Sequence, residues 1–173
     1  MMKKEIGLLV IVFFAMCVIS CSNSRELRFL GKSLCTPCEE FKKHLENNGF
    51  KPDGGDTYRG NYLGEEVGIV LEKEENGHYT QMTIMLVSDV DVCKKFYKKL
   101  CREIGKEHDG FIDKEKEKDD NLSYIQQSSG ENINIPINEQ KKTYYNEEGK
   151  EITITYYNAS LIATVMARFD SDE

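Results

Sequence analysis

Apolar residues recur at helical intervals in two stretches of the chain. The two stripes are Cys38, Phe41 and Leu45 in the first stretch, and Cys93, Phe96, Leu100 and Ile104 in the second. Side chains three or four positions apart lie on one face of a helix, so each stripe predicts a helix with one buried side. Asp89 is the predicted N-cap of the second helix, because its carboxylate can accept from the first free backbone amides.

The first helix has the clearer end signals. It is predicted to span residues 37–48, with Thr36 as its N-cap and Glu39 completing a capping box. Gly49 can adopt the left-handed conformation that ends a helix, and Phe50 after it can fold back on the last turn.

Alternation of apolar and polar residues predicts strands over much of the remaining chain. The predicted strands cover residues 27–30, 57–63, 67–73, 79–87, 122–126, 142–146 and 151–157. Asn76-Gly77 and Glu148-Gly149 are hairpin signals, because glycine readily adopts the positive φ of tight turns. Residues 161–169 fit either a strand or a helical stripe, and their β-branched residues favour the strand.

Two helices among hairpin-joined strands predict an α+β domain, with an antiparallel sheet and both helices packed on one face. A parallel sheet would need a crossover between its strands, which the hairpin at Asn76-Gly77 contradicts. We expect this single domain to span residues 27–173. Residues 113–120 carry only charged side chains, which leaves nothing to bury and predicts a mobile solvated loop.

The first residues have the parts of a bacterial secretion signal. Lys3 and Lys4 supply a positive start, and residues 6–19 form an almost uninterrupted apolar run. This run is short for a membrane-spanning helix, which needs about 20 apolar residues. The segment therefore predicts export from the cytosol.

The end of this run, Val18-Ile19-Ser20-Cys21, resembles the lipobox of bacterial lipoproteins. The resemblance implies that residues 1–20 are a signal peptide, that Cys21 becomes the lipidated first residue of the mature protein, and that residues 21–26 form a tether. Several acyl chains hold a protein stably on a membrane, whereas one holds it marginally. We expect a protein anchored to the membrane through lipid on Cys21.

The mature chain is acidic. Removing residues 1–20 takes away Lys3, Lys4 and Glu5 and leaves 21 basic and 29 acidic residues, a net charge of −8. Nucleic-acid binding depends on basic residues that neutralise phosphates, so we expect no nucleic-acid partner. For the same reason we do not expect the domain to lie flat on an anionic membrane, which leaves the lipid on Cys21 as its membrane contact.

Cys35-Thr36-Pro37-Cys38 is the one motif that suggests chemistry. Thioredoxin-like proteins place a redox C-x-x-C at a helix start, where the helix N-terminus stabilises a thiolate. Residues 27–50 look like the opening of a glutaredoxin, and Ile135-Pro136 could supply that fold's cis-proline. The hairpin predicted after the helix argues against this fold. Because Cys38 also falls on the buried stripe, we expect a structural pair, reduced or disulfide-bonded.

No metal or other cofactor is expected. The C-x-x-C motif with His44 offers three ligands, whereas a structural zinc normally has four. The carboxylates of residues 113–120 lack the glycine and the spacing of a calcium loop.

Export permits disulfides, and four cysteines allow three pairings, with unpaired buried thiols as the alternative. These cysteines are Cys35, Cys38, Cys93 and Cys101.

Tyrosine doublets suggest a recognition surface. Tyr144-Tyr145 and Tyr156-Tyr157 lie on two strands that are predicted to pair. Successive side chains of a strand point to opposite faces, so one tyrosine of each doublet should face the core and the other should face out. Outward tyrosines are common at recognition surfaces. The motifs of hydrolases, zinc proteases and phosphate-binding loops do not occur in the sequence.

With its lipobox, its strand–helix unit over residues 27–50 and its following hairpin over residues 58–86, the chain resembles small lipoproteins of unknown function from gut-type Gram-negative anaerobes. The segment Phe29-Leu30-Gly31 and the helix ending at Gly49-Phe50 carry this resemblance. It implies a lipid-anchored protein of the outer membrane. Residues 22–25 lack the acidic cluster associated with surface export in such bacteria, which favours the periplasmic side.

Two functions remain open at this point. We expect a non-enzymatic envelope protein whose domain binds an unknown protein or small-molecule partner. The alternative is a thiol–disulfide oxidoreductase with Cys35 as nucleophile and Cys38 as resolver. An antiparallel sheet with Cys38 buried favours the binding module, whereas a parallel core with Cys35 exposed at a helix tip favours the enzyme.

Overall fold

A computed structural model of the chain describes residues 26–73, 77–115, 125–126, 132–133, 137–159 and 162–170. The helices in these ranges are α1 (Cys38–Asn47) and α2 (Val90–Glu107). The strands are β1 (Arg28–Phe29), β2 (Lys32–Ser33), β3 (Lys51–Pro52), β4 (Thr57–Tyr62), β5 (Glu65–Lys73), β6 (Tyr79–Asp89), β7 (Ile112–Glu115), β8 (Ile125–Gln126), β9 (Asn132–Ile133), β10 (Ile137–Tyr145), β11 (Glu151–Ala159) and β12 (Ile162–Asp170).

Eight of these strands form one sheet in the order β3-β4-β5-β6-β12-β11-β10-β7, and every neighbouring pair is antiparallel. The pairs β1–β2 and β8–β9 form two separate hairpins. Both helices cover one face of the large sheet, and their apolar stripes join its buried side chains in one core. The predicted α+β fold with an antiparallel sheet is confirmed.

The sheet consists of two halves with the same order of elements. In the first half α1 is followed by β3, β4, β5 and β6. In the second half α2 is followed by β7, then by the separate β8–β9 pair, and then by β10, β11 and β12. Each half thus has a helix, a short edge strand and a three-stranded meander. The halves join where β6 pairs with β12, for example at Met85 opposite Met166.

Alternation along the central strands separates core from solvent. In β6, Met82, Ile84 and Leu86 are buried, whereas the intervening Met85 and Val87 are 39% and 59% exposed. Residues two apart in a strand face the same side, so this pattern turns one row toward the helices and the other away from them. Of residues 161–169, which were ambiguous between strand and helix, residues 162–169 fall on strand β12, and residue 161 lies outside the described residues.

Two helix ends match their predictions. At the end of α1 the Phe50 amide donates to the Leu45 carbonyl at 3.1 Å and the Gly49 amide donates to the Glu46 carbonyl at 3.0 Å, with Gly49 at φ +87°. This is a Schellman ending, which needs a residue that tolerates positive φ. At the start of α2 the Asp89 carboxylate accepts from the Val92 amide at 2.9 Å.

The predicted N-cap of α1 is wrong. Pro37, not Thr36, occupies the N-cap position, and no side chain caps the helix there. Instead the Cys38 amide donates to the Gly77 carbonyl at 3.0 Å. A backbone carbonyl from the hairpin therefore satisfies an amide that a side chain was expected to satisfy.

The predicted mobile loop also needs correction. Asp113 belongs to β7, which pairs with β10, and its carboxylate lies 2.6 Å from the Lys142 ammonium. Charged side chains suit an edge strand because they discourage pairing with other chains. Residues 116–120, the rest of the predicted loop, lie outside the described residues. The strand predicted over residues 27–30 shrinks to β1, which pairs with β2 and not with the large sheet.

Candidate functional site: the open face of the sheet

One face of the large sheet carries neither α1 nor α2, whose buried stripes pack on the other face. We call this side the open face. Along the junction of β6 and β12, the two middle strands of the sheet, Val87 and Ile162 are 59% and 61% exposed, and Met85 is 39% exposed. Large apolar side chains grouped on a surface mark sites of interaction more often than apolar residues scattered singly do.

A depression of about 360 Å³ adjoins these residues over β10, β11 and β12. Its lining consists of Lys141, Glu151, Thr153, Thr155, Tyr157, Met166, Arg168 and Asp170. The lining follows from strand geometry, because alternate residues of β11 and β12 point to the open face. Thr155 and Met166 are direct partners across the two strands, and Thr155 is only 3% exposed, so it forms the floor of the depression.

Three of the four charged side chains of the depression are engaged by neighbours. The Arg168 guanidinium lies 2.7 Å from the Asp170 carboxylate. The Thr153 hydroxyl donates to the Glu151 carboxylate. The arrangement is suited to contact with a surface of mixed polarity.

The tyrosine doublets alternate as predicted. Tyr144 and Tyr156 are buried, whereas Tyr145 and Tyr157 are partly exposed. The Tyr144 hydroxyl donates to the Cys101 carbonyl at 2.8 Å and so ties β10 to α2. Tyr157 lines the depression.

Sequence reasoning predicted one outward tyrosine in each doublet without saying which, and it missed the residues that surround Tyr157. Thr153 and Thr155 stand two positions apart in a strand that was predicted, so their shared face was available from the pattern. Met166 and Arg168 were missed because their segment fitted helix as well as strand. Only the pairing of β11 with β12 brings these residues into one depression.

The cysteines of the C-x-x-C motif differ in exposure. Cys35 is exposed and Cys38 is 7% exposed, and both are free thiols. The Cys35 amide donates to the Ser33 hydroxyl at 3.2 Å. Cys38 belongs to the apolar core, as its place on the helical stripe predicted. Ile135-Pro136, the predicted partner in a glutaredoxin-like fold, lies outside the described residues.

The other two cysteines are free thiols as well. The Cys93 thiol donates to the Ala163 carbonyl at 3.3 Å within the core, and burial raises its pKa. Burial also raises the pKa of the Cys101 thiol to about 11. Both groups therefore stay protonated at neutral pH, and the thiolate is the form that attacks disulfides or binds metals.

Within the described ranges, no three side chains of histidine, cysteine, aspartate or glutamate are close enough to hold a metal ion. Neither described helix has the length and apolar character needed to cross a membrane. Cys21, the predicted lipidation site, lies outside the described residues.

In comparisons with protein-family models, with curated proteins and with solved structures, nothing matches the chain.

Proposed function

We propose that this protein is a non-enzymatic binding module of the cell envelope. It is held by lipid on Cys21 at the periplasmic side of the outer membrane and binds a protein partner through the open face. The observation that carries this proposal is the exposed apolar group Met85, Val87 and Ile162 beside the depression. An apolar centre with a polar rim is the common anatomy of protein interfaces.

The shape of the open face favours a protein over a small molecule. Small-molecule pockets are concave and bury most of the ligand against mainly apolar side chains. Here half of the lining side chains carry charge, and the depression continues onto exposed residues of β6 and β12, where Met166 lies opposite Met85. A broad surface of this kind fits a partner that spans several strands.

The test is site-specific photo-crosslinking in cells that produce the native lipidated protein. A photoreactive amino acid at Val87 or Met166 should give a defined adduct with one protein. The same group at Lys43, which is exposed on α1, is the matched control on the helical side. Adducts at neither open-face position, or equal adducts at Lys43, would argue against the open face. Displacement of the crosslinking by a small-molecule extract would reassign the site to a small ligand.

The anchor has its own test. Cys21→Ala should leave the precursor uncleaved at the lipoprotein site and abolish partitioning into a detergent phase. Cys17→Ala, a change of the same kind within the proposed signal peptide, should partition as the wild type does. If the Cys21→Ala protein still partitions normally, lipid on Cys21 is not the anchor.

A thiol–disulfide oxidoreductase is the second candidate, because Cys35 is exposed next to a helix start. The antiparallel sheet and the burial of Cys38 support the binding module instead, since a resolving sulfur must reach a mixed disulfide on Cys35. We expect slow alkylation of Cys35 at pH 6–7 and no reduction of insulin, which would require the buried Cys38 to resolve a mixed disulfide on Cys35. Rapid alkylation confined to Cys35, with insulin reduction that is lost in Cys35→Ser, would establish the enzyme.

A further inference from the structure

The solvent side of α2 carries a row of cations on an acidic protein. We call these residues the basic strip: Lys94, Lys95, Lys98, Lys99, Arg102 and Lys106. All six are exposed. At about 100° per residue they fall within an arc of about 140° on the side of the helix opposite its buried stripe.

Part of the basic strip is not neutralised within the protein. Arg102 and Lys106 lie 3.3 Å and 3.0 Å from the same carboxylate, that of Glu103. In the described part of the chain, Lys94 and Lys98 form no ion pair, and neither does Lys95. Lys94 and Lys98 stand four positions apart, where like charges destabilise a helix. An anionic partner would relieve this repulsion.

Two apolar turn tips lie beside the basic strip. Leu30 and Leu63 have φ values of +53° and +55°, a left-handed conformation that leucine rarely adopts. Both are partly buried and line one depression of about 420 Å³ together with Lys106 of the strip and the carboxylates of Glu103 and Glu107. The Lys99 ammonium donates to the Leu63 carbonyl at 3.0 Å, which joins the strip to one tip. Apolar side chains next to basic ones are typical of surfaces that bind the membrane interface.

Strand β1, near the first described residues, also lies next to the C-terminal end of α2. The Arg28 amide donates to Nε2 of His108 at 3.0 Å, so β1 lies against the end of α2. The rings of Phe29 and the core residue Phe169 are 6.4 Å apart, which places β1 on the helical side of the sheet. Cys21 precedes Glu26 by five residues, which span at most about 18 Å. A lipid at Cys21 would hold this end of α2 close to the membrane.

We propose that the basic strip, with Leu30 and Leu63, is the surface through which the anchored domain rests on anionic lipid headgroups. This inference rests on the proposed lipid anchor at Cys21. It turns the helical side toward the membrane and leaves the open face free for a partner. The net charge of the domain argues against contact with anionic lipid. Net charge is a sum over the whole surface, however, and it does not show that these cations are concentrated on one side of α2. The exposed side of α1, with Glu39 and Glu40, offers no comparable surface.

The experiment compares the native lipidated protein in two kinds of vesicle. One contains phosphatidylethanolamine with phosphatidylglycerol, and the other contains phosphatidylcholine alone. Lysines are labelled with an amine-reactive reagent, and the rate of labelling at each lysine is measured by mass spectrometry. One basic side chain at an anionic surface gains about fivefold in its binding equilibrium. Labelling of Lys94, Lys95 and Lys98 should therefore be about fivefold slower or more in the anionic vesicles.

Internal controls and variants sharpen this test. Lys51 and Lys141, which are exposed on the open face, should be labelled equally in both vesicles. The triple variant K94E/K95E/K98E should lose the protection of Lys99 and Lys106. The matched variant K51E/R59E/K141E, with the same change in charge on the open face, should keep it. About 1 M salt should abolish the protection, because the Debye length falls to about 3 Å.

The outcomes separate the two proposals. A protein that does not enter vesicles of either kind would contradict the lipid anchor. A protein that enters both kinds and is labelled equally in both keeps the anchor and overturns the membrane contact. Protection by duplex DNA in detergent, without protection by anionic vesicles, would assign the basic strip to nucleic acid and also overturn it.

Discussion

The two halves of the sheet share their order of elements, but their helices differ in length, in N-cap and in how they end. In the sequence each helix carries the same pattern Cys-x-x-Phe-x-x-x-Leu, at Cys38 in α1 and at Cys93 in α2. The first half has a helix of 10 residues without a side-chain N-cap and with a glycine ending. The second half has a helix of 18 residues that begins at the Asp89 cap and ends at the buried His108.

The repeated pattern accounts for the core of the protein but not for its two candidate surfaces. The shared apolar pattern builds a common core and a continuous sheet. The additional turns of α2 carry Arg102 and Lys106 of the basic strip. They also contact the hairpin of β1 and β2 through His108. The features that we connect with the membrane and with a partner therefore lie mainly in the second half, together with the depression on β10, β11 and β12.

The largest expected effect tests whether the halves are one cooperative unit. Phe41 and Phe96 occupy the same position in the repeated pattern and are 0% and 1% exposed. Replacing either with Ala should lower the free energy of unfolding by about 3–5 kcal/mol. Because β6 pairs with β12 along its length, both variants should shift a single transition in denaturant.

Circular dichroism and tyrosine fluorescence together provide the measurement for this pair. Tyr157→Ala, on the open face, is the control and should leave the transition within about 0.5 kcal/mol. Two separate transitions, each sensitive to only one of the phenylalanine changes, would show that the halves unfold independently.

The features predictable from sequence were those that depend on neighbours in the chain. The Gly49 ending and the Asp89 cap are local, and the sequence signals for both were sufficient. Thr36 was misassigned because the group that satisfies the Cys38 amide comes from Gly77, across the hairpin. Residues 113–115 lacked apolar side chains, so their pairing with β10 gave no sequence signal. The basic strip was overlooked because net charge averages over surfaces.

The next effect concerns how the first half fits Phe50 against its sheet. A Cβ added at Gly60 would lie 2.6 Å from the Phe50 ring and 3.0 Å from its Cα. Gly60→Ala should therefore destabilise the protein by about 1–3 kcal/mol, as overpacking does. Gly68, on the next strand, has only the Met85 carbonyl at 4.0 Å, so Gly68→Ala should cost little. Equal losses of stability from the two changes would contradict this packing.

A smaller effect compares the two helix starts. Asp89→Ala removes a carboxylate that accepts from the Val92 amide, and it should cost about 0.5–2 kcal/mol. Thr36→Ala removes no cap and should change stability by less than about 0.5 kcal/mol. Urea denaturation of both variants and the wild type measures the difference. A loss in Thr36→Ala as large as that in Asp89→Ala would restore Thr36 as a capping residue.

The smallest effect comes from one proton at the end of α2. His108 is 2% exposed, with Nδ1 3.0 Å from the Ile104 carbonyl and Nε2 accepting from the Arg28 amide. The carbonyl contact is a hydrogen bond when Nδ1 carries the proton, so these partners fit the neutral ring. Burial lowers the pKa of His108, against the opposing effects of the Ile104 carbonyl and the Glu107 charge.

Because the folded pKa of His108 lies below its unfolded value, the unfolded chain binds more protons. The free energy of unfolding should therefore be highest above about pH 6.5 and should fall as the pH drops below that value. Urea denaturation between pH 7.5 and pH 5.5 measures this slope. His108→Gln, which keeps His44 and His78 but cannot titrate at this position, should show a shallower slope. If both proteins lose stability equally over this range, His108 is not the group whose protonation destabilises the second half.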